Sequence, residues 1–150
     1  MRFIPLCILV AALPVASSAA LAAEINIHVS AIEPARGGTL YVMLFSKDGY
    51  PKKHTKALEV LSVAADQSEM DFSFRTERDD IAVKVHHDED GNSKVTKNWT
   101  GIYPAEGLGF SQGQRVRMTG APSYRKSKVK KADFSEIIEI EMRYGKTSRQ

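Results

Sequence analysis

Apolar residues in this chain recur at every second position, and that period dictates a sheet. Ile25, Ile27 and Val29 alternate with Asn26, His28 and Ser30, and Ile138, Ile140, Met142 and Tyr144 alternate with Glu139, Glu141 and Arg143. Ile81, Val83 and Val85 repeat the pattern. Successive side chains of a strand point to opposite faces, so each segment should lay one face on a core. On that reading His87 continues the core face of Ile81, Val83 and Val85, and His86 is expected at the exposed face. Thr39 to Phe45, rich in β-forming residues, follows a Gly37-Gly38 turn and is closed by Asp48-Gly49 and Pro51. Leu58 to Ala64 and Met70 to Arg75 read as two more strands around a turn at Asp66-Gln67-Ser68. No segment of ordinary helix length carries a 3.6-residue period. The expected fold is an all-β, antiparallel β-sandwich of the immunoglobulin or transthyretin kind, with about seven strands. Asn98 to Pro122 reads as one long Gly-rich irregular region, and long loops are usually functional or hold minor structure.

The N-terminus does not belong to that pattern. Arg2 precedes an apolar run from Phe3 to Val15, and Ala20-Leu21-Ala22 fits a small-x-small cleavage site. This is the layout of a secretory signal peptide over residues 1–22. Pro14, Ser17 and Ser18 break the run short of the roughly 20 apolar residues a spanning helix needs. The expected organisation is a signal peptide at 1–22, a single β-sandwich domain at 23–145 and a frayed tail at 146–150. Periplasmic or secreted localisation follows, with no transmembrane segment after cleavage. Cys7, the single cysteine, lies near the start of the apolar run, so the mature domain would hold together without a disulfide.

Charge is unevenly distributed. The full chain carries +3. Glu59 to Asp90 is strongly acidic, whereas 114–131 holds Arg115, Arg117, Arg125, Lys126, Lys128, Lys130 and Lys131 and no carboxylate. Such a run is either a solvated charged loop or a contact surface for anionic lipid, polysaccharide or an acidic partner. An exported protein has no call for nucleic acid.

The segment richest in chemistry is His86-His87-Asp88-Glu89-Asp90-Gly91-Asn92-Ser93-Lys94. Asp88, Asp90 and Asn92 place oxygen side chains at every second residue of a turn-forming stretch, as the first half of a calcium loop does. The second half is incomplete. Ser93 stands where such a loop wants Gly, Thr96 fills the ninth position, and Trp99 stands at the twelfth, where Glu is wanted. Glu106 is the nearest later carboxylate that could fold back. Asp88, Asp90, Asn92, Thr96 and Glu106 are therefore the candidate ligands for a weak Ca²⁺ site. A plain polar turn, or a transition-metal site using His86 or His87, accounts for the same residues. Gly109-Phe110-Ser111-Gln112-Gly113 imitates a nucleophile elbow, but no strong strand precedes it, and all four histidines come earlier in the chain. Asn98-Trp99-Thr100 is a glycosylation sequon by pattern.

Taken together, the strand running into His-Asp-Glu-Asp-Gly-Asn, the Gly-Ile-Tyr-Pro-Ala-Glu-Gly-Leu-Gly-Phe-Ser stretch and the Ala-Pro-Ser-Tyr segment resemble a bacterial exported family, domain of unknown function 2141. The resemblance covers roughly 24–144. It implies a signal peptide and a β-sandwich, with no established activity. The family's loop usually reads Asp-Glu-Asn-Gly-Asn-Gly-Lys-x-Asp; Asp88, Asp90, Asn92 and Lys94 match it, Ser93 replaces a Gly and Thr96 an Asp. Tyr103 sits as an insertion in the Gly-Ile-Pro segment. The expectation from the chain is a binding or structural module of the cell envelope rather than an enzyme. The rival is an enzyme acting on envelope sugars or peptides through Glu106 with Asp88 or Asp90.

Overall fold

A computed structural model describes residues 22–101 and 103–145. Residues 1–21 of the expected signal segment and the tail 146–150 lie outside the described residues. Eight strands run β1 (Ala23–Ser30), β2 (Thr39–Phe45), β3 (Glu59–Ala64), β4 (Met70–Thr76), β5 (Asp80–Asp88), β6 (Gly107–Phe110), β7 (Val129–Lys130) and β8 (Ile138–Glu141). They form a three-stranded sheet in the order β4-β1-β8 and a larger one in the order β3-β2-β5-β6, with β7 pairing the start of β5. Helix among the described residues is limited to single 3-10 turns and one α turn, α1 (Tyr124–Ser127). The fold is the expected all-β sandwich.

The alternation assigns the core correctly. Ile25, Ile27 and Val29 of β1, Leu40, Val42 and Leu44 of β2, Ile81, Val83 and Val85 of β5, and Ile138, Ile140 and Met142 pack in one cluster with Phe74 and Phe134. Burial of that area is what drives the two sheets together.

Three features depart from the sequence reading. First, β1 pairs β4 antiparallel but β8 in parallel, Ile27 opposite Ile138 and Val29 opposite Ile140. Second, the Gly-rich region is not wholly irregular: Gly107–Phe110 is a strand paired to β5 from Lys84 to His87. A Cβ on Gly109 would stand 2.5 Å from Cγ2 of Ile140, so glycine lets β6 lie close against β8, and the residues that look like loop punctuation are a packing requirement. Third, His86 is not exposed. Ile81 to Asp88 are all buried, on both faces of β5. The outward face of the larger sheet carries Met43, Phe45, Lys84, His86, Leu108 and Phe110, and residues 46–57, 89–101, 103–106 and 111–127 fold over it. Tyr50 sits edge-on to Phe45, Phe110 and Tyr124, with ring centres 5.6, 6.5 and 5.8 Å apart. Period two identifies which residues share a face; it does not say that only one face is covered.

Candidate functional site

Strand β5 delivers chemistry to both faces. On the core side His87 ends the apolar row. Its Nδ1 accepts from the Tyr144 hydroxyl at 2.8 Å, and its other ring nitrogen donates to the Gly37 carbonyl. On the outer side the order is Ala82, Lys84, His86 and Asp88, and from Asp88 the chain enters the acidic loop.

That loop is wound on its own carboxylates. One oxygen of Asp88 accepts the N–H groups of Gly91 at 2.9 Å and Asn92 at 3.2 Å, and the other accepts Ser93 N–H at 2.8 Å. One oxygen of Asp90 takes Asn92 N–H at 3.0 Å; the other takes the Asn92 amide and the Thr96 hydroxyl, both at 2.8 Å. The Thr96 hydroxyl bond leads the effects that hold the Asp90 carboxyl below its ordinary range. Winding this tightly places Gly91 at φ 73° and Ser93 at φ 58°, both left-handed. Glycine takes that conformation freely and serine does so at a cost, which is the physical content of the misplaced Ser93.

Glu106 closes the loop. It stands just before β6, 3% exposed. One carboxylate oxygen accepts His86 Nε2–H at 2.9 Å and Thr96 N–H at 2.8 Å, and the other accepts Glu89 N–H at 3.1 Å. Burial leads the effects that push the His86 pKa down, so the ring is neutral at pH 7 and its proton is held toward Glu106. The fold-back expected of Glu106 therefore occurs, and carboxylate oxygens of Asp88, Asp90 and Glu106 lie within 4.8 Å of one another. All five expected ligand residues come together, since the Asn92 amide also donates to the Thr96 hydroxyl oxygen at 2.8 Å. Three carboxylates of that spacing can hold a hard cation. No histidine belongs to that acidic group. His86 and His87 leave β5 on opposite faces.

Sequence reasoning missed Lys84. It is 3% exposed, although lysine is almost never fully buried unless paired. Its ammonium donates to the Pro51 carbonyl at 3.0 Å and meets His54 Nε2 at 2.6 Å. No carboxylate pairs with it among the described residues. Burial alone pushes its pKa down to about 8. Burial, reinforced by the Lys84 charge, lowers His54 to about 4, so His54 accepts from Lys84 and its other ring nitrogen serves the Ser93 backbone. The signal for Lys84 was present: it is the lone charge inside the apolar run Ile81-Ala82-Val83-Lys84-Val85.

Two adjoining clefts open above this outer face. One, of about 670 Å³, is lined by Lys84, His54, Leu108, Phe110 and Val116 among others. Its neighbour, of about 610 Å³, shares Leu108, Phe110 and Val116 and adds Trp99, Tyr103 and Arg115. Trp99 is 94% exposed at its rim. The serine of the elbow-like motif does not serve as a nucleophile here. A strand does precede it, against expectation, but Ser111 is buried, its hydroxyl donates to the Ser127 carbonyl at 2.6 Å, and it accepts Val83 N–H at 3.0 Å. The basic run is not one surface either. Arg115 lines a cleft, Lys128 pairs with Asp80 at 3.0 Å, and Arg125 and Lys126 stand exposed on α1.

The profile of a bacterial family described as "Uncharacterized protein conserved in bacteria (DUF2141)" matches residues 27–138. The chain belongs to that family. The DUF2141 match runs from the middle of β1 to the first residue of β8, so Lys84, the acidic loop and Glu106 all lie within it. No curated protein and no solved structure matches the chain. Among the described residues no helix is long and apolar enough to cross a membrane.

Proposed function

We propose that this DUF2141 protein is an exported, non-catalytic binding module of the bacterial cell envelope, and that its binding surface is the loop-covered outer face of the larger sheet. The observation that carries the reading is the architecture of that face. Loops rather than a second sheet cover β5, and they leave adjoining clefts over an apolar floor of Leu108 and Phe110. Binding sites of ordinary size are concave and mostly apolar, with a few placed polar groups. The N-terminal signal pattern supports export.

The non-catalytic reading draws support from Glu106. A general acid or base must reach substrate, and this carboxylate is buried with three N–H donors already on it. Of its two partners in the enzyme reading, Asp88 is buried too and holds three backbone N–H groups, and Asp90, although exposed, has both oxygens taken up by Asn92 and Thr96. We assign both to bracing the loop. The same brace is a weak Ca²⁺ site: Asp88, Asp90 and Glu106 supply the charge, and Asn92 and Thr96 supply neutral oxygens.

Photo-cross-linking in intact cells tests the surface. A benzophenone side chain at Val116, in the clefts, should yield adducts visible by intact mass. One at Ser62, on exposed β3, should not. No adducts at Val116, or equal adducts at both, would remove the assignment.

A further inference from the structure

The larger cleft has a one-sided electrostatic character that the acidic neighbourhood hides. Lys52, Lys53, Lys94 and Lys97 line it above Lys84, His54 stands beside them, and no lining residue is a carboxylate. None of the five ammonium groups enters an ion pair among the described residues. Pro104, Leu108, Phe110 and Val116 add an apolar stretch of wall. Lys84 is the telling member. A buried charge is tolerated when it is paired, and this one is met only by a carbonyl and a neutral ring nitrogen.

We propose that this cleft binds a small organic anion, whose charged head faces Lys84 as the counter-ion the fold does not supply and whose apolar body lies on Leu108, Phe110 and Val116. The inference rests on the reading of this face as a binding surface and adds the ligand class. A planar lipid surface is a poor fit, because Lys84 lies at the floor of a concave site and cannot reach a flat array of headgroups. A bare inorganic anion would leave the apolar wall wet. An anion joined to an apolar group satisfies both.

Phenyl phosphate is the probe, titrated calorimetrically into the mature protein, with inorganic phosphate and phenol as its two separated halves. Phenyl phosphate should bind at least about tenfold more tightly than either half. Lys84→Met should weaken it by about tenfold or more, the usual worth of a hydrogen bond to a charged group. Ala121→Glu keeps the test alive if the Lys84 variant fails to fold, since it places a carboxylate on an exposed lining residue; it too should weaken binding. Lys126→Met, on exposed α1, should leave affinity unchanged. Three results would each overturn the proposal: no binding of phenyl phosphate, equal binding of inorganic phosphate, or equal loss in the Lys126 variant. Cross-links at Val116 without phenyl phosphate binding would overturn the ligand class and leave the binding surface standing.

Discussion

Lys84 should make the protein more stable in mild alkali. Its pKa stands near 8 in the fold against 10.5 in an unfolded chain. A depressed pKa contributes stability that is fully present above the unfolded value and lost as pH falls through the folded one. The window is therefore pH 8 to 10.5: within it the unfolded chain binds a proton that the folded chain has released, so stability rises with pH. The full difference is roughly 3 kcal/mol, and about 2.5 kcal/mol of it should be recovered between pH 7 and pH 10. The groups facing Lys84 do not blur this. His54 and His86, both lowered, are neutral throughout, and Glu106 is engaged with His86 rather than with Lys84. Tyr50 and Tyr144, pushed up to about 12 by burial, stay protonated in the fold while the unfolded chain begins to ionise them near pH 10, an opposing loss that parent and Lys84→Met share and that cancels in the gap between them. The assay is urea unfolding of the parent and Lys84→Met at pH 7, 8, 9 and 10. Lys84→Met also gives up the bonds to Pro51 and His54, on the order of 1 kcal/mol each, but that loss does not depend on pH in this range. The stability gap between parent and variant should shift in favour of the parent by about 2.5 kcal/mol over the series. A gap flat to within about 0.5 kcal/mol would show that Lys84 already has water or a counter-ion, and the argument from an unpaired buried charge would fall.

Ser93→Gly should raise stability by about 1 kcal/mol in denaturant melts, because φ is already 58° and the hydroxyl's one contact, Tyr41 OH, is 3.5 Å away; a loss would mean that contact matters more than the backbone. Val83→Asp should cost several kcal/mol by burying an unpaired charge, and a variant melting within about a degree of the parent would show that the assigned core face is wrong. Calcium at about ten times a Kd of order 10⁻³ to 10⁻⁴ M should add roughly 1.4 kcal/mol, read as a few degrees in a thermal melt against chelator, and Asp90→Ala should abolish the shift; equal responses would reduce the loop to a polar turn. Exposed Arg125 and Lys126 should give weak co-sedimentation with anionic vesicles at low salt that vanishes at high salt, and binding unchanged by salt would exclude a charge-driven contact.

Much of the sandwich was legible because one face of each main strand carries the core. Ile25, Ile27 and Val29, or Ile138 and Ile140, could be read directly. What alternation could not convey was the second layer of loops. His86 was placed in solvent by its position opposite Val85, and the residues that cover it, His54 from an earlier loop and Glu106 twenty residues on, are distant in sequence. Strand β6 was hidden for a different reason. Gly107 and Gly109 are selected by the nearness of Tyr144 and Ile140, a tertiary fact that reads locally as loop. The candidate ligands were legible as residue types, and their convergence depended on Glu106 folding back. Lys84 was visible as an anomaly in an apolar run but had no partner in sequence to give it meaning.

The parallel pairing of β1 with β8 ties order of synthesis to order of folding. Ile27 meets Ile138, so the central strand of the smaller sheet stays open on one side until β8 has been made. Contacts this distant in sequence form slowly, since loop closure precedes any gain from burial. A chain interrupted before residue 138 would present β1 as a bare hydrogen-bonding edge backed by Ile25, Ile27 and Val29, the kind of edge on which strands of other molecules add. Strand β8 covers that edge, so the smaller sheet has a period in its own synthesis when its central strand is complete and its neighbour does not yet exist.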